Sequence, residues 1–417
     1  MKVCIVGAGP AGLMAAIHAS AGNVQTLIVE ANAAAGRKLL LTGGGRCNFT
    51  HADGPEELAK AFGKAGRFLR HSLYELSPDD IREFFRSQGL ADTVEPDGCV
   101  FPADRGAAGV RDILLDEAQK LGTHFDYQSR VKDIVADDEG FRIETEARQI
   151  LAARVILATG GLSWPQTGSR GDGYRFAAQL GHTIVPPKPA LVPLVTRETW
   201  PRELAGLSLS GVGIWATIGG RRLTTAGNML FTQNGIGGPA ALDLSRLLAD
   251  ELGERSVGID IEIDVLPGID ESKLDQQLQR ECQAYPRKAT ANILSDLLPR
   301  QFARTVCRLA QCDTDLQAGQ LSAEKRRRLV GVLKRLPLCV TDAEPIARAT
   351  VTHGGVSRDE IDPRTMESKI RPGLFFAGEI IDLDGPCGGY NLQMCWSTGA
   401  LAGRSAAHSL LDNGPST

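Results

Sequence analysis

The chain lacks any C-x-x-C pair. Its nine cysteines (Cys4, Cys47, Cys99, Cys282, Cys307, Cys312, Cys339, Cys387 and Cys395) are odd in number and scattered. That argues against a zinc knuckle, a dithiol redox motif or a disulfide framework, and for reduced thiols in a cytoplasmic setting. No metal-ligating or Ser/His/Asp constellation stands out, so no metal is expected. There is little excess of either charge: a formal net charge of −4 over 417 residues builds no field that would gather a polyanion, and nucleic acid is not the expected partner. No apolar run reaches the roughly 20 residues of a membrane span. The apolar opening MKVCIVGAGPAGLMAAIHASAG is broken by Gly7, Gly9, Pro10 and Gly12 and reads as strand, turn and helix rather than as a leader. Repeats and low-complexity tracts are also absent. Hydrophobic residues at 42% and charged residues at 23% are ordinary globular values, and the length suits two or three domains.

What is present is a βαβ opening. KVCIV is a short β-branched strand, Pro10 to Gly22 has helical spacing, and QTLIVE is a second strand. SPDDIREFFRSQG reads as a helix capped by Ser77 and stopped by Gly89. A further helix is expected from about Ala107 to Leu121, followed by strands at HFDYQ, RVKDIVAD, GFRIETE and ARVILAT, the middle two forming a hairpin across DDEG. Four prolines between Pro186 and Pro193 exclude a helix and suit a stiff crossing between domains. Beyond it, LSLSGVGIWATI, RRLTTA, NMLFT and VGIDIEIDVL are expected strands, and residues 270–335 form a helix-rich block. Within that block EKRRRLVGVLKR (Glu324–Arg335) places Leu329 and Leu333 at helical spacing, the pattern of one solvated helix face rather than a nucleic-acid site.

The chemistry begins at GAGPAG. Gly7, Gly9, Pro10, Ala11 and Gly12 lie between the first strand and helix, and Glu30 closes the second strand. Gly7 makes the tight turn, Gly9 lets backbone approach a pyrophosphate, Gly12 allows close helix packing, and Glu30 accepts from ribose hydroxyls. This fingerprint reads an ADP half and leaves NAD and FAD both open. Three further glycine clusters, LLLTGGGRCNFTH, ATGGLSWPQTGSRGDG and FAGEIIDLDGPCGGYN, suit a longer resident ligand such as FAD.

These blocks, with GRKLLLTGGGRCNFT, TMESK and GLFFAGEIIDLDGPCGGYNLQMCWSTG, resemble the flavoproteins of the HI0933-like group, which includes aminoacetone oxidase-like and bile-acid reductase-like members. The resemblance spans nearly the full chain. It implies an α/β fold: a Rossmann-type FAD-binding domain split in sequence (1–188 and 345–417), an inserted β-barrel-like domain (189–268 and 336–344) and a small helical domain (269–335). It also implies that Arg37, Lys38, Gly44, Gly45, Arg46, Cys47 and Asn48 lie along FAD, with Thr159, Gly160, Gly161, Gly378, Glu379, Gly388, Gly389, Tyr390, Asn391 and Leu392.

The residues themselves support roles of unequal weight. Gly43 to Gly45 bring main-chain N–H groups toward the flavin, Glu379 meets ribityl or phosphate-side groups, and Asn391 and Leu392 open a helix whose positive end faces the flavin pyrimidine edge. Asp172 is read as a helix cap. His353, Cys47, Tyr390 and Cys387 are the candidates for catalysis, although packing or solvation is the simpler role of each. The expected function is an FAD-dependent oxidoreductase acting on a small molecule, bound between the FAD domain and the β-rich insert, by flavin-mediated hydride transfer. An NAD(P)H donor would bind only transiently, since no second GxGxxG is present, and an oxygen-using oxidase is nearly as well supported. A flavin-dependent RNA-modifying enzyme and a non-catalytic FAD-binding sensor are the competing readings.

Overall fold

The computed structural model describes residues 2–252 and 258–411, so Val257, the first residue of one expected strand, and residues 412–417 of the expected FAD domain lie outside the described residues. Contacts divide the chain into two compact units, Met1–Ala190 with Ile346–Thr417, and Leu191–Pro345.

The first unit is built on a five-stranded parallel sheet in the order Leu374–Phe376, Arg154–Leu157, Lys2–Val6, Gln25–Val29, His124–Asp126. Val3, Cys4 and Ile5 are wholly buried, which is why that strand reads as a continuous apolar run rather than an alternating one. The first helix, Pro10–Ser20, is buried almost all round and packs along the C-terminal helix Tyr390–Leu411. Small residues permit the approach. A Cβ placed on Gly399 would stand 2.4 Å from the Ala11 carbonyl oxygen, and one on Gly403 2.2 Å from that of Ala15. The expected hairpin forms between Val131–Asp137 and Gly140–Thr145. Ser77 caps Pro78–Ser87, its Oγ accepting from the Asp80 N–H while Asp80 accepts from the Ser77 N–H, a reciprocal capping box.

In the first unit two local expectations fail for identifiable reasons. The proline-rich stretch is not a bare crossing. Ile184–Ala190 is a strand paired antiparallel with Val351–Val356, and a register shift between Val185 and Lys188 takes up Pro186 and Pro187 where no ladder hydrogen bond is required. Asp172 does not cap its helix: Gly171, in a left-handed conformation (φ 81°), is the N-cap, which carries the carboxylate one step into Asp172–Gln179 and onto Arg130.

In the second unit, Leu194–Thr196, Gly235–Gly237, Arg221–Phe231, Ser208–Ile218, Ile259–Asp264 and Leu336–Ala343 close a barrel. RRLTTA and NMLFT, expected as separate strands, form the single strand Arg221–Phe231; the irregularity between them is absorbed by a bulge between Leu209 and Val212 of the partner strand. The helices of the 270–335 block share one apolar core with the barrel, Leu278, Phe302, Leu329 and Leu333 lying in the same cluster as Ile214 and Ile261. Leu329 and Leu333 are thus the buried side of Ala323–Lys334, as their spacing predicts, and Arg327 lies exposed on the other.

Candidate cofactor site

The fingerprint glycines have three different environments. Gly7 has φ +103°, and a Cβ there would stand 2.6 Å from the Ala158 carbonyl oxygen; a Cβ on Gly12 would stand 2.0 Å from the carbonyl oxygen of Gly7. Gly9, by contrast, has nothing within 4 Å of its Cβ position, so its backbone borders open space. The helix starts at Pro10, with Ala11 and Gly12 following, and no side chain caps it. Its first N–H groups and positive dipole end are left for an external anion. Glu30, only 8% exposed, accepts from the Ala8 N–H at 2.8 Å and from the backbone and side chain of Asn32 at 2.8 and 2.6 Å. Arg37 extends this chain by donating to Asn32 Oδ1 at 2.8 Å.

A second cluster forms around Glu379. Its carboxylate accepts from Lys38 Nζ at 2.6 Å, from Ser163 Oγ at 2.8 Å and from the Thr352 N–H at 2.9 Å, and Lys38 also donates to Ser163 Oγ at 2.6 Å. Gly161 is pressed against the same group, a Cβ there meeting Thr352 Oγ1 at 2.3 Å. Gly160 (φ +71°) lies against Ser169, and Gly378 (φ +75°) against Ala11 and Cys395. Ser163 and Thr352, which complete this cluster, were not singled out from the sequence. Lys38 and Glu379 are 341 residues apart, and no local pattern links residues at that range.

The GGGRCN loop divides. Gly43, Gly44 and Gly45 all have positive φ, which accounts for three glycines in a row. They are exposed, and Arg46 turns to Glu95 (2.9 Å) and over the Phe101 ring. Cys47 is buried, and burial pushes its thiol up to about 12. Asn48 points the other way: its Oδ1 is buried and unpartnered, 2.8 Å from where a Cβ on Gly389 would lie. The segment that follows is stitched to the C-terminal helix. Thr50 Oγ1 donates to Gln393 Oε1 at 2.6 Å, Trp396 Nε1 donates to the Phe49 carbonyl at 2.7 Å, and a Cβ on Gly389 would stand 2.2 Å from the Thr50 carbonyl oxygen.

At the start of that helix Asn391 clasps its own loop, accepting from the Gly385 N–H at 2.8 Å and donating to the Gly385 and Pro386 carbonyls at 2.9 and 3.2 Å. Tyr390 stacks on His51 and donates to Asp53 Oδ2 at 3.1 Å. Leu392 is half-buried, Gly388 (φ +115°) lies against Tyr390 and Cys99, and Cys387 is half-buried in the same loop. His353 Nδ1 donates to Asp384 Oδ2 at 2.6 Å. Thr159 Oγ1, just past the strand Arg154–Leu157, is buried without a partner, as is the hydroxyl of Tyr174, whose ionisation burial opposes. Open space over Gly9, an uncapped helix start and orphaned polar atoms at Asn48 and Thr159 fit a long, polar dinucleotide. Among the described residues, no group of three or more His, Cys, Asp or Glu is placed to hold a metal, and no helix is long and apolar enough to cross a membrane.

The family model described as HI0933-like protein Rossmann domain matches residues 1–405. The chain belongs to that family. It is 32% identical to the 3-dehydro-bile acid delta(4,6)-reductase of Clostridium scindens, over 97% of this chain and 99% of the relative. It is 31% identical to the ribosomal RNA dihydrouridine synthase of Escherichia coli, over 94% and 95%. Among solved structures, the fold is shared with a 3-ketosteroid delta1-dehydrogenase from Sterolibacterium denitrificans (TM-score 0.54, 14% identity, 98% of this chain and 99% of that one). It is also shared with a flavocytochrome c3 fumarate reductase (TM-score 0.52, 18% identity, 99% and 78%). The chain is a flavin-dependent oxidoreductase with a Rossmann-type FAD-binding fold.

Proposed function

We propose that the protein is an FAD-dependent reductase that saturates a carbon–carbon double bond conjugated to a carbonyl in a small molecule. The observation that carries this is the chemistry common to the relatives' names. A delta(4,6)-reductase of a 3-dehydro bile acid and a dihydrouridine synthase both add hydrogen across a double bond polarised by a carbonyl, although their substrates differ in every other respect.

FAD supplies the hydride when bound; the residues of the chain bind and orient it. In this reading Gly9 and the start of Pro10–Ser20 hold the pyrophosphate, and Glu30, steadied by Asn32 and Arg37, meets the ribose. Lys38 and Glu379 border the ribityl side, while Asn48, Gly389 and the N-terminus of Tyr390–Leu411 face the flavin pyrimidine edge. A positive helix end there favours the charge that develops on reduction. NAD(P)H serves as a transient donor. The test is an anaerobic one: pre-reduced holoprotein is mixed with conjugated steroid enones, and reappearance of oxidised-flavin absorbance is followed. Reoxidation by the enone but not by its saturated counterpart is expected, and oxidation by oxygen alone would replace a reductase with an oxidase.

A second reading, an RNA substrate, is favoured by the dihydrouridine synthase relatives and by one feature of the second unit. Arg300, Arg304 and Arg308 recur at helical spacing on the exposed side of Arg300–Leu309. An RNA substrate would bind with a steep salt dependence; affinity for RNA that is absent at low salt excludes it.

A further inference from the structure

His353 differs from the other histidines whose ring contacts are known. His182 has a side chain with 0% exposure, its Nε2 against Ser368 Oγ (2.8 Å) and its Nδ1 facing Glu360 (3.2 Å), and burial holds its charged form down. His51 is stacked on Tyr390, with Nε2 on the Asp97 carbonyl and Nδ1 accepting from the Asp53 N–H. Both are held in place by packing. His353 instead has its Nδ1 on a carboxylate at 2.6 Å, and the imidazole side chain is 23% exposed while that of Asp384 is only 8% exposed.

This asymmetry sets the chemistry. An ionised carboxylate only accepts, so Nδ1 carries a proton and Nε2 is the nitrogen that titrates. The partner is itself fixed, because the loop from Asp384 to Tyr390 is clasped by Asn391, and Asp382, just before it, is paired with Arg358 at 3.1 Å. On the other side of the chain, the neighbouring Thr352 gives its N–H to Glu379. His353 thus stands between the Glu379 cluster, assigned above to the ribityl side of the cofactor, and the loop that opens the C-terminal helix, assigned to the flavin pyrimidine edge. Among the groups facing it are Asp384, from the loop, and Lys188, directly opposite on the paired strand and therefore on the same face.

We infer that His353, positioned by Asp384, delivers the proton of the reduction. The inference rests on the reading of the protein as a conjugated-bond reductase. The substrate's β-carbon takes a hydride from reduced flavin, and the electron pair of the double bond then forms the new C–H bond at the α-carbon with the proton from His353 Nε2. The cofactor has lost two electrons, the substrate has gained two electrons and two hydrogens, and the neutral imidazole regains a proton from water. Asp384 is a positioning residue: its charge favours the imidazolium and holds the tautomer.

The experiment compares wild type, His353→Gln and Asp384→Asn as holoproteins, with FAD content as the check on folding. Pre-reduced samples are mixed with progesterone, a conjugated steroid enone, across pH, and histidine-selective nitrogen NMR follows the His353 ring separately. His353→Gln is expected to slow flavin reoxidation by on the order of 10²–10⁴-fold at unchanged FAD content. In Asp384→Asn the alkaline limb of the rate profile moves to lower pH, in step with a fall of the His353 titration seen by NMR, because the imidazolium has lost its anion. A wild-type rate in His353→Gln, or a His353 titration that Asp384→Asn leaves in place, overturns the inference while the reductase reading stands. Wild-type protein whose reduced flavin ignores the enone overturns the reading, and this step with it.

Discussion

At the scale of single residues, the three fingerprint glycines separate packing from binding. Gly12→Ala drives a Cβ into the Gly7 carbonyl, a backbone contact that cannot swing aside, and is expected to destabilise the apoprotein by about 1–3 kcal/mol. Gly9→Ala meets nothing of the protein and is expected to leave the apoprotein melting temperature in place while weakening FAD binding; thermal melts with and without FAD check both. Lys38→Met leaves the Glu379 carboxylate without its cation. Both side chains keep some solvent contact, so the cost is set at about 1–3 kcal/mol, below the ~3–5 kcal/mol of a wholly buried pair; denaturant titration measures it, and Glu379→Gln in the same chain recovers part of it. The glycine fingerprint is legible in sequence because its parts lie within one turn and its reasons are local. Ser163, Thr352 and Asp384 are not, because each is recruited by a residue far away in the chain. The loop Gly43–Asn48 shows the boundary between the two cases: its need for positive φ is readable from three glycines, whereas the opposite directions taken by Arg46 and Asn48 depend on Glu95 and the C-terminal helix.

At the scale of elements, the close pair formed by Pro10–Ser20 and Tyr390–Leu411 aligns the two helix starts assigned to the cofactor. Near its far end His18 is pushed down to about 4, by burial first and by the charge of Arg404 second. Its folded value lies below the ordinary 6.5, so unfolding takes up a proton as pH falls. The stability gained by keeping it neutral is present above about pH 6.5 and lost progressively toward pH 4. His18→Gln is expected to flatten that acid-side decline in urea titrations at stepped pH; an unchanged slope would mean that His18 is not its source. The small residues at the contact, Gly399 and Gly403, were visible in sequence as GALAG, but the partner they face was not, since helix pairing over this separation leaves no local trace. The proline-rich strand makes the converse point. Prolines exclude a helix, and only the bulge opposite Gly354 explains why they did not exclude a strand.

For the molecule as a whole, the parallel sheet was readable because four of its five strands, all but His124–Asp126, are short and largely apolar runs close to glycines. The barrel was harder: Ser208–Ile218 and Ile259–Asp264 carry an alternating pattern, but closure depends on pairing such as Leu194–Thr196 with both Gly235–Gly237 and Leu336–Ala343, which joins distant segments. The central claim is that segments from both ends of the chain, the opening fingerprint with Lys38 and Asn48 and the closing stretch from Gly378 to Asn391, hold a single FAD. The direct measurement is titration of purified apoprotein with FAD, followed by visible absorbance and by flavin fluorescence. Saturation at a single FAD per chain, with affinity weakened by Gly9→Ala and by Asn48→Ala, is the predicted result. Folded protein that is colourless once excess FAD has been removed, or that binds equally well in both variants, would contradict it.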